Sequence, residues 1–318
     1  MRILSILFVI FIFPQLCLAQ SLSGDGISPV PVLDLQPAFP SPGETVKVSF
    51  GDYRAGTVGS EINWFYNGNL IPEAKNKREV AVTAPIVGNS ALIKMVVSLN
   101  GLSETHSTLI KPVYLDIIIE PQTHVPEFYT GRALPSIGSQ INATALLNDG
   151  KTLGNNYIYV WRINDDVYDG GGIRNQNTIQ FPMPRGSNTT LSVQVSTYGG
   201  VTIARRTLFV PSVKPEIHYY EINPLYGIEA KAITSNFNLI SNSATIRTEP
   251  YYLDSNVFNY PDILEWTING QKVSPNASNP YEVTLKKTGD PGEAKLDVHV
   301  RSLTQLLQGA KGGITINI

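Results

Sequence analysis

Apolar and polar positions alternate with a period of two in short runs along the chain, and a helical period occurs only once, near the C-terminus. Val46, Val48 and Phe50 alternate after the turn Phe39-Pro-Ser-Pro-Gly43, and Ile141, Ala143 and Ala145 alternate after Leu134-Pro-Ser-Ile-Gly138. Ala244, Ile246 and Thr248 repeat the strand in the last third of the chain without the Pro-Ser-x-Gly turn. Successive side chains on a strand point to opposite faces, so this pattern predicts half-buried antiparallel sheets. Strand pairs are predicted at Leu92–Leu99 with Thr108–Ile110, Leu191–Thr197 with Ile203–Val210, and Lys295–Val300 with Ile314–Ile318. Asn100-Gly101 and Gly199-Gly200 supply the turns of the first two pairs.

The runs belong to a repeat. Trp64-Phe-Tyr-Asn67-Gly68, Trp161-Arg-Ile-Asn164-Asp165 and Trp266-Thr-Ile-Asn269-Gly270 each carry tryptophan, asparagine three positions on, then Gly or Asp. Asn-Gly accepts the positive φ of a two-residue hairpin, and the flanks Ile62, Trp64 and Tyr66 before the first turn, with Leu70 after it, have strand alternation. Tryptophan on such a strand fills the centre of a β-sandwich, so Trp64, Trp161 and Trp266 are expected core markers. The spacing of about one hundred residues between tryptophans matches one sandwich per copy. The expected class is all-β: an N-terminal signal peptide (1–19), a flexible segment (20–30), and three tandem sandwiches over 31–111, 112–212 and 213–318. Pro112 and Pro215 sit between copies and predict short, stiff connections.

The chain has 318 residues, 42% of them hydrophobic and 16% charged, which places it among ordinary globular proteins. A formal charge of −2 offers no electrostatic footprint for nucleic acid. Arg2 followed by the apolar run Ile3–Phe13, then Pro14 and Cys17-Leu18-Ala19, reads as a cleavable leader. The rival reading, a retained anchor, meets a run shorter than the ~20 residues that a spanning helix needs. Cys17 is the only cysteine, so the chain after the leader has no disulfide and no thiolate metal site. Export to the cell surface, the extracellular space or a periplasm follows, with no spanning segment left once the leader is removed.

The Pro-x-x-Gly-x-x-Val opening and the Trp-x-x-(Asn/Asp)-Gly turn resemble polycystic-kidney-disease-type (PKD) and related bacterial immunoglobulin-like domains. The chain as a whole also resembles three-domain exported proteins of candidate-phyla bacteria, through Asn223-Pro-Leu-Tyr-Gly227 and Thr304–Gly312. These resemblances imply immunoglobulin-like sandwiches, extracellular spacing, and contact with protein or glycan. They imply no catalytic residues.

The residues themselves point the same way. His106, His124, His218 and His299 fall apart in the sequence, and no metal-protease, nucleophile-elbow or phosphate-loop spacing occurs. No cofactor is expected. Asp165, Asp166 and Asp169, before a run of glycines, are the one candidate for Ca²⁺; the competing reading is that turn chemistry alone placed them. Tyr251, Tyr252, Phe258 and Tyr260 precede the third tryptophan strand and form a candidate binding surface, or else pack on the core or on the second module. Ser302-Leu-Thr-Gln305 has the form of a capping box, and Leu303, Leu306, Leu307 and Ala310 follow at helical spacing. A short helix is therefore expected there, for docking or as a lid on the third core. The function expected is a non-enzymatic exported binding or spacer protein whose partner is an envelope or surface protein or a glycan. The alternatives are a structural or assembly subunit of an envelope or pilus-like structure, and an enzyme with no local motif.

Overall fold

The computed structural model describes residues 32–51, 60–151, 156–288 and 291–318; the expected leader and the segment 20–30 lie outside the described residues. The first repeat contains β1 (Val32–Gln36), β2 (Thr45–Gly51), β3 (Glu61–Tyr66), β4 (Asn69–Leu70), β5 (Glu79–Thr83), β6 (Ala91–Leu99) and β7 (Leu102–Ile110). The second contains β8 (Tyr114–Pro121), β9 (Gln140–Asn148), β10 (Tyr157–Ile163), β11 (Asp166–Val167), β12 (Ile173–Arg174), β13 (Thr178–Pro182), β14 (Asn188–Thr197) and β15 (Thr202–Pro211). The third begins with β16 (Glu216–Asn223), β17 (Gly227–Ile228), β18 (Asn236–Asn238), β19 (Ser243–Tyr251) and helix α1 (Ser255–Asn259). It ends with β20 (Ile263–Ile268), β21 (Gln271–Val273), β22 (Glu282–Lys286), β23 (Glu293–Arg301) and β24 (Gly309–Asn317).

Each repeat distributes its strands over two sheets in the same way. The sheets run β1-β2-β5 and β4-β3-β6-β7, then β13-β9-β8 and β11-β10-β14-β15, then β17-β16-β19-β22 and β18-β24-β23-β20-β21. Tandem β-sandwiches are thus the architecture. Alternation sets which face is buried: Val46, Val48 and Phe50 of β2, Ile141, Ala143 and Ala145 of β9, and Leu296, Val298 and Val300 of β23 all point inward. The strands are longer than the sequence pattern predicts at several ends, most of all β7 and β24, because pairing continues past the alternating core residues.

The three tryptophans are buried at equivalent positions, opposite Met95, Val193 and Val298. Each indole Nε1–H donates to a backbone carbonyl that follows the hairpin: Lys77 at 2.9 Å, Gln176 at 3.2 Å and Pro280 at 3.0 Å. Tryptophan therefore satisfies both demands of the site, since it fills the core and pairs its one polar atom.

The asparagine of the motif has a second task that composition alone hides. Asn67, Asn164 and Asn269 have φ near +50°, and Gly68, Asp165 and Gly270 follow with φ of +85°, +70° and +80°, the two positive angles of a type I′ turn. Each asparagine Oδ1 also accepts the backbone N–H of the neighbouring strand, from Leu92 at 2.8 Å, Thr190 at 2.9 Å and Lys295 at 2.8 Å. The same asparagine donates its own N–H to the carbonyl of that residue. The side chain thus adds one rung to the ladder. Replacing Asn269 with Gly keeps the φ and removes the rung, for an expected loss of about 1 kcal/mol. Asn269→Ala adds conformational strain at positive φ and costs about 1–2 kcal/mol more. Urea denaturation of the two variants checks the order: equal losses would remove the strain from the account, and no loss in Asn269→Gly would remove the hydrogen bond.

Candidate functional site

Of the side chains that the sequence marks for function in the third repeat, Tyr251, Tyr252 and Phe258 lie at its junction with the second. Residues 110–318 belong to one compact unit. The connection from β8 to β9 covers residues 122–139, and its first part is a strap laid on the third module. His124 N–H donates to the Leu253 carbonyl at 2.7 Å, Tyr252 N–H to the His124 carbonyl at 2.8 Å, and Ser255 N–H to the Gln122 carbonyl at 2.9 Å. Thr123 and Asp254 form an antiparallel bridge in the same register. The strap and residues 252–255 are therefore a short two-stranded ladder between modules.

Two fully buried polar residues close this ladder into a ring. Asp254 Oδ2 accepts the Gln140 N–H at 3.0 Å, and its Oδ1 accepts the Asn256 N–H at 2.9 Å, capping α1. Asp254 N–H donates to Gln308 Oε1 at 2.8 Å. Gln308 Nε2–H₂ then donates to Ser136 Oγ at 3.0 Å and to the Ile137 carbonyl at 2.7 Å, back in the second module. A buried carboxylate or amide without partners is costly, and here each has several. Beside this ring, His124 Nε2 lies 2.7 Å from Glu249 Oε2, while Arg247 Nε donates to Glu249 Oε1 at 2.6 Å. The buried Glu249 carboxylate is thus held by a side chain from each module.

Aromatic rings fill the rest of the junction. The His124 ring stacks on Phe258 with centroids 3.5 Å apart, and Phe258 stacks on Tyr281 at 4.6 Å. Phe128 of the strap meets Tyr220 edge-on, and Tyr129 meets Tyr251 edge-on at 5.2 Å. Hydroxyl pairs tie the same residues: Tyr129 with Tyr252 at 3.0 Å, and Tyr220 with Tyr251 at 2.8 Å. A Cβ at Gly131 would run into the Tyr129 ring, so the strap needs glycine there. Tyr252 has φ of +60°, a conformation that a bulky residue adopts only when its surroundings impose it. The bonds to His124 and Tyr129 supply that constraint.

Of the two readings of the aromatic loop, this geometry favours packing against the second module over an exposed binding surface. Tyr251 is buried, Tyr252 and Phe258 are half-buried against the strap, and Tyr260 alone of the four faces solvent. The physical reason is that the end of the third sandwich is apolar, with Leu253, Val257, Tyr281, Val300 and Ala310 as a small second core. The strap covers it. The expected helix at 302–310 is also corrected. Ser302 does cap a turn, its Oγ accepting N–H groups of Thr304 and Gln305, but no helix follows. Only seven residues separate β23 from β24, and Gln308 is drawn into the junction. Leu303, Leu306 and Leu307 stand exposed on this turn, which is pinned by Asp262 Oδ2 accepting Leu303 N–H at 2.7 Å. Those two hydrogen-bond donors, Leu303 N–H and the Ser302 hydroxyl, hold the Asp262 carboxyl below its usual range.

The Ca²⁺ candidates fall on a hairpin in the second module. Asp165 is a turn residue, Asp166 begins β11, and Asp169 lies three residues on with φ of +50°; all three are exposed. Among the described residues, no group of three or more His, Cys, Asp or Glu side chains gathers to hold a metal ion. A shallow depression of about 380 Å³ in the first repeat is lined by Lys47, Ile71, Glu73, Lys77, Glu79 and Val80, with Lys47 and Glu79 ion-paired across it at 2.6 Å. Among the described residues, no helix is long and apolar enough to cross a membrane.

The strap has a sequence signal in its length: 18 residues connect β8 to β9, whereas eight connect β1 to β2. The extra residues carry Phe128, Tyr129 and His124, the side chains that build the junction.

Alkali is expected to weaken the junction. Burial pushes the Tyr251 and Tyr281 hydroxyls far above the usual tyrosine range. The hydrogen bond with Tyr129, and then burial, push Tyr252 up to about 12. An unfolded tyrosine ionises near pH 10, so the unfolded chain releases protons first. The contribution is complete below about pH 10 and is lost as pH rises through 12. Thermal melting should therefore show a midpoint falling from about pH 10 upward, with a shallower fall in Tyr252→Phe. A midpoint flat to pH 12 would contradict this.

No protein-family model matches the chain, and no curated protein matches it. Among solved structures, it is similar to the fibronectin(III)-like modules of Clostridium thermocellum CbhA (14% identity, 57% of this chain and 94% of that one, TM-score 0.27). It is also similar to three N-terminal domains of the bacteriophage RB49 highly immunogenic outer capsid protein (12% identity, 91% and 98%, TM-score 0.26). A third likeness is to Bacteroides ovatus SGBP-B, solved with a mixed-linkage heptasaccharide (13% identity, 91% and 70%, TM-score 0.23). At these scores the likenesses carry no argument, and the sandwich fold rests on the strand pairing itself.

Proposed function

We propose that this chain is a non-enzymatic, exported spacer that holds its third module at a fixed angle to its second, so that surface groups of that pair are presented together to an envelope or surface protein or a glycan. The observation that carries the reading is the junction, where Asp254 and Gln308 are fully buried and satisfied across two modules. A simple tether has no use for buried polar side chains, because solvated linkers let modules turn freely. Polar groups that are satisfied in one arrangement only select that arrangement. The leader pattern of residues 1–19 supports export. His124, Tyr251 and Tyr252 act as structural members of the junction.

The test uses spin labels on the intact chain, at Leu146→Cys in β9 and Lys272→Cys in β21, both exposed positions. A fixed junction gives one narrow distance distribution. A broad distribution like that of a flexible tether would reject the reading.

A further inference from the structure

We infer that Asn100 is a site of spontaneous covalent modification, where the side-chain amide is lost and the turn between β6 and β7 passes to aspartate and isoaspartate. The chain holds three Asn-Gly pairs, Asn67-Gly68, Asn100-Gly101 and Asn269-Gly270. All three are two-residue hairpin turns with both φ angles positive, +51° and +81° for Asn100 and Gly101. All three are exposed, so solvent access does not separate them. Their side chains do. Asn67 Oδ1 accepts the Leu92 N–H at 2.8 Å, and Asn269 Oδ1 accepts the Lys295 N–H at 2.8 Å. Each of these asparagines stands directly across from its donor, one step beyond the β3–β6 and β20–β23 pairings. For Asn100 the neighbouring strand is too short: β3 begins at Glu61, across from Ser98. Among the described residues, the Asn100 side chain has no hydrogen-bond partner.

The chemistry is an intramolecular acyl transfer. Hydroxide takes the proton of the Gly101 backbone N–H, and that nitrogen attacks Cγ of Asn100. The N–Cγ bond forms, the Cγ–Nδ2 bond breaks, and Nδ2 takes a proton from water and leaves as ammonia. Water then adds to one of the two carbonyls of the five-membered imide and opens it to an aspartyl or an isoaspartyl linkage. Nucleophile and carbon sit on adjacent residues, so the step requires only a side-chain rotation that brings Cγ onto the glycine nitrogen. In Asn67 and Asn269 that rotation first breaks the bond from Oδ1 to the neighbouring strand. In Asn100 it breaks nothing, and a Cβ built at Gly101 would meet no atom within 4 Å, so the approach is open. A hydrogen bond of ordinary strength corresponds to about fivefold in rate. The isoaspartyl product lengthens the backbone by one carbon, and either product adds a negative charge at the tip of the hairpin.

The experiment is peptide mapping by mass spectrometry of the intact chain, held folded in mildly alkaline buffer for days, sampled at intervals and digested in mild acid. The expected result is conversion at Asn100 at least about fivefold faster than at Asn67 or Asn269, with aspartate and isoaspartate both present. The same chain unfolded in guanidinium chloride should convert all three asparagines at similar rates, because the bonds to the neighbouring strands are gone. Equal rates at the three sites of the folded chain, or faster conversion at Asn67 or Asn269, would overturn the inference. A lead at Asn100 that persists unchanged in the unfolded chain would overturn it as well, since the flanking sequence and not the hydrogen bonds would then set the order.

Discussion

Gln308→Ala is expected to lower the stability of the second and third modules by about 2–4 kcal/mol and to uncouple their unfolding. The weight of this side chain lies in what it leaves behind. Without it, the N–H of fully buried Asp254, the hydroxyl of fully buried Ser136 and the carbonyl of half-buried Ile137 each lose a partner. Each orphaned group costs about 1–3 kcal/mol, partly relieved where water enters the vacated space. Trp161 and Trp266 report the two modules separately once the other tryptophans are replaced by phenylalanine. In the parent, the two fluorescence transitions in denaturant should coincide. In Gln308→Ala they should separate, with the third module unfolding first because its small second core at the junction is exposed. Coincident transitions with an unchanged midpoint would show that the ring contributes nothing.

Trp266→Ala has the larger expected local effect, a loss of about 3–5 kcal/mol from the third module. Trp266 is buried between the sheets, its indole facing Tyr219 edge-on and its Nε1–H bound to the Pro280 carbonyl. Truncation opens a cavity and strands that carbonyl, two separate penalties. Trp266→Phe retains most of the volume and isolates the second, for a loss of about 1–2 kcal/mol. Circular dichroism melts of both variants measure the split. If phenylalanine cost as much as alanine, packing volume would not be the main term.

The tryptophan strands were legible because their signals are local. Trp64, Trp161 and Trp266 stand three positions before an asparagine that must adopt positive φ, and alternation on either side fixes which face is buried. Nothing in that pattern needs knowledge of distant residues. The junction is the opposite case. His124 meets Glu249 and Tyr129 meets Tyr252 across more than a hundred residues, so composition near either partner reads as an ordinary loop. The tyrosines of the third repeat were visible as a cluster, but an aromatic cluster looks the same whether it faces solvent or a neighbour. Leu303, Leu306 and Leu307 show the limit of periodicity. Their spacing fits a helix, and Ser302 caps as a helix would require, yet two paired strands and the anchoring of Gln308 leave no length for a helical turn to propagate.

The strap also governs how such a chain can be cut and copied. Its residues leave the second sandwich after β8 and return to it at β9, so the covering of the third module is encoded inside the second. A break at Val213 divides the sequence between repeats but leaves the third module without its cover, with Leu253 and Tyr251 opened to water. Duplication or exchange of the third repeat alone would produce the same uncovered fragment. The smallest part of this tandem that keeps the third module covered is therefore the pair of second and third repeats.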